Sequence, residues 1–292
     1  MDRITLKWPL VSTEWLHSHL EAENLIIFDA SMPKAGMGED TLSESLIEGA
    51  RFMDLKNRWA RKDARFPNTM LDGDSFEKVA REMGINKDSA LVFYDQHGIY
   101  SSARAWYMFR AMGHENAAVL DGGLPAWEKQ GYPTMLKAQN AEVSVLSSSS
   151  PGSFSANLKD QHFNTYREVL TWLQDESKLV LDARARERFL GTVPEPREGL
   201  RSGHIPGSKS LPFALLQEDG KMKDQESLRA LFEKEAKEER DLVFSCGSGI
   251  TACVLALGAE LAGRKRYSVY DGSWTEWGSL PELPVERGSK SL

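Results

Sequence analysis

An internal repeat constrains the fold of this chain more than any other feature. Short apolar runs and glycine-containing turns in the first half recur in the second half at a nearly constant separation of 150 to 158 positions. The matched segments are 25–30 with 179–184, 48–52 with 206–210, 91–95 with 242–246, and 121–127 with 271–277. Such regular self-similarity indicates a tandem duplication.

Within each half, short apolar strands alternate with helical segments. This alternation predicts an α/β fold of two tandem domains, each a mostly parallel sheet flanked by helices. We predict a first domain over 1–140, a Ser- and Gly-containing linker over 141–157, a second domain over 158–286 and a tail over 287–292. Predicted helices cover 75–83, 102–112, 165–174, 225–237 and 251–262.

Composition excludes several classes of protein. The formal net charge of −7 argues against a nucleic-acid binder, which would show a basic face. No apolar run approaches the roughly 18 residues of a membrane span. Residues 1–25 lack the apolar core of a signal peptide, which predicts a cytoplasmic protein. The two cysteines, Cys246 and Cys253, are too far apart along a helix to form a disulfide, so we expect Cys253 to be a buried thiol.

One segment of the second half carries the candidate chemistry. The buried strand 242–244 leads into a turn that begins at Cys246 and contains Gly247 and Gly249, and a helix follows. Such a turn can point several backbone N–H groups at one centre, where an exposed thiol would lose its proton more readily than a free one. A lone cysteine is often a core residue, but this context favours a nucleophile. The first half has Asp95 at the matching position, so we expect that domain to be non-catalytic.

The chain is similar to the two-domain rhodanese-like sulfurtransferases, and most closely to the 3-mercaptopyruvate sulfurtransferases among them. The motifs that carry the resemblance are 102–106, 121–123, 202–207, 246–252 and 270–277. The resemblance covers almost the whole chain. It implies transfer of sulfur from 3-mercaptopyruvate to a small thiol, thioredoxin or cyanide through a Cys246 persulfide, with release of pyruvate.

The resemblance also implies roles for individual residues. Cys246 and Ser248 would be catalytic, and Arg188 and Arg197 would bind the carboxylate and keto oxygen of the substrate, in keeping with the bidentate geometry of guanidinium groups. The remaining residues of the loop would cradle the persulfide: Gly247, Gly249, Ile250 and Thr251. The loop Cys-Gly-Ser-Gly-Ile-Thr is typical of the mercaptopyruvate enzymes, whereas the thiosulfate enzymes carry cationic side chains there.

Two positions of the sequence argue against a related activity and against a catalytic relay. A phosphatase with a related loop would need an arginine at position 252, where this chain has Ala252. Members of the family can carry an aspartate and a histidine in a relay to the loop serine; here Asp54 matches the aspartate, but Thr69 occupies the place of the histidine, so we predict no relay. We expect no cofactor and no metal site.

The alternatives to a 3-mercaptopyruvate sulfurtransferase are a thiosulfate sulfurtransferase and a persulfide carrier or redox sensor with little turnover.

Overall fold

The computed structural model describes residues 2–137, 151–159, 161–236 and 240–288. The chain divides into two compact units. The first unit comprises Met1–Lys62, Met70–Lys159 and Asp219–Met222, and the second comprises Asp63–Thr69, Asp160–Glu218 and Lys223–Leu292. The predicted linker 141–157 lies outside the described residues up to position 150, and the predicted tail lies outside them from position 289.

Among the described residues, seven short strands lie in the first half and seven in the second. In chain order they are β1 (Leu10–Val11), β2 (Leu25–Asp29), β3 (Ser45–Ile47), β4 (Arg51–Phe52), β5 (Ala90–Tyr94), β6 (Ala117–Leu120), β7 (Thr134–Leu136), β8 (Phe163–Asn164), β9 (Lys178–Asp182), β10 (Lys209–Ser210), β11 (Gln217–Glu218), β12 (Lys221–Met222), β13 (Asp241–Ser245) and β14 (Tyr267–Tyr270).

Helices follow most of the sheet strands. They are α1 (Thr13–Ser18), α2 (Gly73–Glu82), α3 (Ser102–Ala111), α4 (Gly123–Lys129), α5 (Tyr166–Thr171), α6 (Arg186–Leu190), α7 (Gln225–Glu235), α8 (Ala252–Leu261) and α9 (Ser273–Trp277), with short 3-10 turns at Glu39–Thr41, Trp172–Gln174 and Phe213–Leu216. The five helices predicted from sequence are all confirmed, with ends that differ by one or two residues or, after α5, by a 3-10 turn.

Both units contain a five-stranded parallel sheet with the same strand order, which confirms the duplication and the α/β fold. The order is β1-β6-β5-β2-β4 in the first unit and β8-β14-β13-β9-β10 in the second. β3 and β7 form an additional antiparallel pair in the first unit. The central strands β5 and β13 read as continuous apolar runs because helices cover both faces of a parallel sheet.

Each unit has its own hydrophobic core. Trp127 and Tyr94 belong to the core of the first unit, and Trp274, Trp277 and Tyr270 to that of the second. Helix α8 is buried over most of its length, which its Ala- and Leu-rich sequence allows. The start of α8 is therefore fixed by packing, and the loop that precedes it is held at the carboxyl end of β13.

Candidate active site

Cys246 follows β13 directly and lies at the carboxyl edge of the second sheet, the position of ligand sites in open α/β folds. Its neighbour Ser245 pairs with Asp182 on β9. Cys246 is 1% exposed, so the expectation of an exposed thiol is wrong. Cys253 is fully buried as expected, and its thiol donates to the Gly249 carbonyl oxygen at 3.3 Å.

Helix α9 explains the burial of Cys246, because its first residues bond to the loop. The Cys246 N–H donates to Ser273 Oγ at 3.1 Å, and the Trp274 N–H donates to the Cys246 carbonyl oxygen at 3.0 Å. Thr275 donates to the Gly247 carbonyl oxygen from its N–H at 2.8 Å and from Oγ1 at 2.5 Å. The resemblance singled out the segment 270–277, but the sequence did not predict that Ser273 and Thr275 bond to the loop.

The loop 247–251 has the geometry of a nest of backbone donors. Gly249 has φ +78°, a left-handed conformation that favours glycine, and it turns the chain toward the start of α8. Within the described part of the chain, the N–H groups of Gly247, Ser248, Ile250 and Thr251 donate to no protein acceptor. The Thr251 side chain makes no capping bond to α8. These donors are available to an anion at the loop centre.

Arg188 lies against this loop. A Cβ atom on Gly247 would stand 3.2 Å from Arg188 Nη2, so the glycine permits the guanidinium group to approach. Arg188 Nη2 donates to Glu195 Oε2 at 2.5 Å and its Nε to Oε1 at 3.3 Å. The Glu195 side chain is 2% exposed and that of Arg188 is 21% exposed, so a buried carboxylate fixes a partly accessible cation.

A second buried arginine supports the first. Arg184 donates to both carboxylate oxygens of Asp182, to Glu195 Oε1 at 2.8 Å and to the Gly203 carbonyl oxygen at 2.8 Å. Its guanidinium group lies 4.4 Å from the centre of the Trp274 ring. Burial by itself lowers the pKa of Arg184, but the two carboxylates outweigh it and raise that pKa above the ordinary value. Arg184 and Glu195 were not identified from the sequence as site residues.

The second predicted substrate arginine reaches the same loop indirectly. Arg197 is exposed, and its Nη1 donates to Thr275 Oγ1 at 2.7 Å, which in turn donates to the Gly247 carbonyl oxygen. Arg188 thus lies next to Gly247, and Arg197 is linked to Gly247 through Thr275. Arg186, by contrast, is an exposed residue.

The side chain that bonds to Ser248 is that of Asn68, whereas the resemblance put Thr69 at this place. Asn68 Nδ2 donates to Ser248 Oγ at 3.1 Å and to the Ser248 carbonyl oxygen at 3.3 Å. Asn68 is 8% exposed and adopts φ +60°, which asparagine tolerates better than most residues. Thr69 instead donates through Oγ1 to the Phe66 carbonyl oxygen at 2.8 Å. The group beside Ser248 is thus an amide of Asn68, and the assignment of that place to Thr69 is corrected.

Asp54 belongs to the first unit and closes a local turn. Its Oδ1 accepts the N–H groups of Lys56 at 3.2 Å and Asn57 at 2.9 Å, and the Asn57 amide donates to both of its oxygens. These bonds account for the conformation of the carboxylate. The match of Asp54 to the aspartate of the family, without a relay, stays a prediction.

The described residues contain neither a metal-binding cluster nor a membrane-spanning helix. No group of three or more His, Cys, Asp or Glu side chains among them is placed to hold a metal ion. Within the same residues, no helix has the length and apolar character needed to cross a membrane.

Comparison with known proteins identifies the family. The rhodanese-like domain model matches residues 12–130 and 165–280. The 3-mercaptopyruvate sulfurtransferase of Mus musculus is 38% identical over 292 residues, covering 96% of this chain and 95% of the mouse protein. The thiosulfate sulfurtransferase of Bos taurus is 37% identical over 293 residues, covering 96% of this chain and 95% of the bovine protein.

A solved structure agrees with these matches. The crystal structure of SseA from Escherichia coli, a 3-mercaptopyruvate sulfotransferase, superposes with a TM-score of 0.79 at 28% identity, covering 92% of this chain and 99% of SseA. The family model matches the Cys246 loop and every strand of the two five-stranded sheets except β1 and β8. The chain therefore belongs to the rhodanese-like family, with two rhodanese-like domains in tandem.

Proposed function

We propose that this protein is a sulfurtransferase that moves sulfur from 3-mercaptopyruvate to a thiol or cyanide acceptor, with Cys246 as the nucleophile. The observation that carries the proposal is the loop after β13: Cys246 opens it, four of its backbone N–H groups donate to no acceptor among the described residues, and Arg188 lies against Gly247. A negatively charged sulfur at this point would be stabilised by several fixed donors at once.

The reaction proceeds in two displacements. The Cys246 thiolate attacks the sulfur of 3-mercaptopyruvate, the carbon–sulfur bond breaks, and its electron pair forms the enolate of pyruvate, which then takes up a proton. Cys246 is left as a persulfide. The thiolate of an acceptor, or cyanide, next attacks the outer sulfur, and the sulfur–sulfur bond breaks to regenerate the Cys246 thiolate. This covalent route gives ping-pong kinetics.

The donor is held by two guanidinium groups in this proposal. Arg188 is fixed by the buried carboxylate of Glu195, so little side-chain entropy remains to be lost when it binds the donor carboxylate. Arg197 is exposed and its bond to Thr275 is the one that substrate would compete for. Ser248 donates its hydroxyl proton toward the reacting sulfur, while its oxygen accepts from Asn68.

The choice of donor rests on the loop rather than on overall similarity. The mouse mercaptopyruvate enzyme and the bovine thiosulfate enzyme are nearly equally identical to this chain. Gly247 and Ser248 are neutral, which suits a monoanionic mercaptoacid better than dianionic thiosulfate. We therefore place thiosulfate second, as an alternative donor for the same persulfide chemistry.

Steady-state sulfur transfer with the two donors side by side tests this proposal. We expect 3-mercaptopyruvate to exceed thiosulfate in kcat/KM by at least about 100-fold, and Arg188→Gly to remove most of that preference, since a charged hydrogen-bonding clamp contributes about 1.5–3 kcal/mol. Arg186→Gly is the matched control, because Arg186 is an exposed arginine two positions away and should leave both donors unchanged. Equal or better turnover of thiosulfate would contradict the donor assignment.

A persulfide carrier with little turnover is the remaining alternative. It would take up one sulfur on Cys246 without repeated release of pyruvate, so pyruvate formed per enzyme distinguishes it from a catalyst. A small thiol, thioredoxin and cyanide are the proposed acceptors, and we propose neither a nucleic-acid nor a membrane partner. The cytoplasmic location predicted from the sequence stays a prediction.

A further inference from the structure

Ser273 occupies a backbone conformation that serine rarely adopts. Its φ is +49°, in the left-handed region, and the residue is fully buried at the first position of α9. For a residue other than glycine this conformation is strained, and it persists where the surroundings demand it. An observed strain of this kind, beside the candidate nucleophile, points to a role for the serine side chain.

The first unit shows that the fold does not require a side chain at this position. Its counterpart in the matched segment 121–127 is Gly123, with φ +56°. A Cβ atom on Gly123 would stand 2.2 Å from the Asp95 carbonyl oxygen, so glycine is needed there. Both units therefore place a left-handed residue at this matched position, but only the second unit, which contains Cys246, has a strained serine there.

The Ser273 hydroxyl group bonds to the backbone of Cys246. Its Oγ accepts the Cys246 N–H at 3.1 Å and donates to the Tyr270 carbonyl oxygen at 2.8 Å, and it lies 4.0 Å from Cys246 Sγ. The neighbouring bond from the Trp274 N–H to the Cys246 carbonyl oxygen has an equivalent in the first unit, from the Leu124 N–H to the Asp95 carbonyl oxygen, both at 3.0 Å. The serine bond is thus an addition to a shared framework.

We propose that Ser273 is a positioning residue for the nucleophile: its hydroxyl oxygen holds the N–H of Cys246 and so fixes the sulfur at the centre of the loop. This inference rests on the proposed role of Cys246. The N–H and the carbonyl group of Cys246 are both bonded to α9, so the backbone of Cys246 cannot rotate away from the donors of residues 247–251. A glycine at position 273 would relieve the backbone strain, but it would supply no oxygen to accept the Cys246 N–H.

Two variants separate positioning from stability. Ser273→Gly removes the hydroxyl group and relieves the strain, whereas Ser273→Ala removes the hydroxyl group and keeps the strain. We expect both to lower the rate of Cys246 alkylation by iodoacetamide and kcat for sulfur transfer by about tenfold, the effect of one lost hydrogen bond, with KM changed less than about twofold. We expect Ser273→Ala to melt at a lower temperature than Ser273→Gly.

The contrast between reactivity and melting temperature decides the outcome. If Ser273→Gly reacts at the wild-type rate, or if reactivity falls in step with melting temperature across the two variants, Ser273 is merely structural and the inference is overturned. Ser279→Ala is the matched control, because Ser279 Oγ donates to the Glu276 carbonyl oxygen at 2.9 Å and does not contact Cys246. Alkylation needs no sulfur donor, so this test stands even if neither donor is turned over.

Discussion

The loops after β5 and β13 occupy the same place in the two units but treat negative charge differently. In the first unit, the fully buried carboxylate of Asp95 accepts five hydrogen bonds from its own loop. The donors are the N–H groups of His97, Tyr100, Ser101 and Ser102 and the hydroxyl group of Ser102, at 2.6 to 3.0 Å. In the second unit, Cys246 stands in that place and four loop N–H groups donate to no protein acceptor within the described residues.

This difference indicates what the duplication preserved and what it changed. Both loops turn at a left-handed glycine, Gly98 or Gly249, and both precede a buried helix. The nest of donors is therefore a property of the shared fold, and in the first unit the chain's own carboxylate satisfies it. The side chain of Cys246 is shorter than that of Asp95, so it leaves the donors available to the outer sulfur of the proposed persulfide. Arg188, which is paired with Glu195, lies next to these donors.

Exchanging the nucleophile for the residue of the first loop tests this comparison most strongly. We expect Cys246→Asp to lose sulfur transfer by at least about 10³-fold, because no covalent intermediate can form. If the second loop has the donor geometry of the first, the new carboxylate should accept its N–H groups, so Cys246→Asp should melt at a higher temperature than the equally inactive Cys246→Ala. A lower melting temperature for Cys246→Asp would show that the two nests differ.

The reciprocal change removes the acceptor from the first loop. We expect Asp95→Ala to destabilise the protein by about 3 kcal/mol, because several buried N–H groups lose their partner. Denaturant unfolding measures this loss. Asp95→Asn, which keeps one acceptor oxygen, should have an intermediate effect, and sulfur transfer per folded molecule should stay near the wild-type value. A fully stable Asp95→Ala variant would mean that water replaces the carboxylate without cost.

The repeat, the sheets and the longer helices could be predicted from sequence because they are local patterns. Apolar strands that end in a polar residue, and helices of about ten residues, leave a periodic signal. The five-residue helices α6 and α9 are too short for such a signal, and they hold Arg188 and Ser273. Cys246 could be singled out from the sequence because the glycines that follow it directly reflect the backbone conformation of the turn.

The supporting residues could not be predicted because tertiary contacts select them. Asn68 and Ser248 are 180 positions apart in the sequence, and no local pattern relates them. The resemblance placed Thr69 beside the loop, whereas Asn68 makes the contact with Ser248 and Thr69 bonds to Phe66. The buried bonds of Glu195 to Arg184 and Arg188 are likewise visible only in the fold.

A smaller difference between the two loops is the hydrogen bond between Asn68 and Ser248. In the first loop, His97 stands at the position that matches Ser248. We expect Asn68→Gly, which keeps the left-handed backbone, to lower kcat by about threefold to tenfold through loss of the hydrogen bond to Ser248 Oγ. Thr69→Ala is the control, because its hydroxyl group bonds to Phe66 and should not affect kcat. An unchanged kcat in Asn68→Gly would assign this contact to packing alone.

The smallest expected effect concerns the aspartates at the ends of β2 and β9. Asp182 is paired with Arg184, two positions later, whereas the residue two positions after Asp29 is Ser31, which donates to Asp29 from its N–H at 3.0 Å and from its hydroxyl group. Asp29 is fully buried and Oδ2 has no hydrogen-bond partner within the described residues. Burial therefore raises the pKa of Asp29 above its ordinary value, although the bonds from Ser31 oppose the shift.

A raised pKa in the folded state has a definite consequence for stability. Below the ordinary pKa of aspartate, Asp29 is protonated both folded and unfolded and carries no penalty; as the pH rises from there through the folded-state pKa, the unfolded state ionises first and stability is lost. Asp29→Asn lacks this dependence, so the variant should gain in melting temperature relative to wild type as the pH is raised from about 4 to 8. Asp182→Asn, which leaves Arg184 without its carboxylate partner, should instead be less stable than wild type at neutral pH. If the two variants behave alike, the arginine is not what distinguishes the strand ends of the two units.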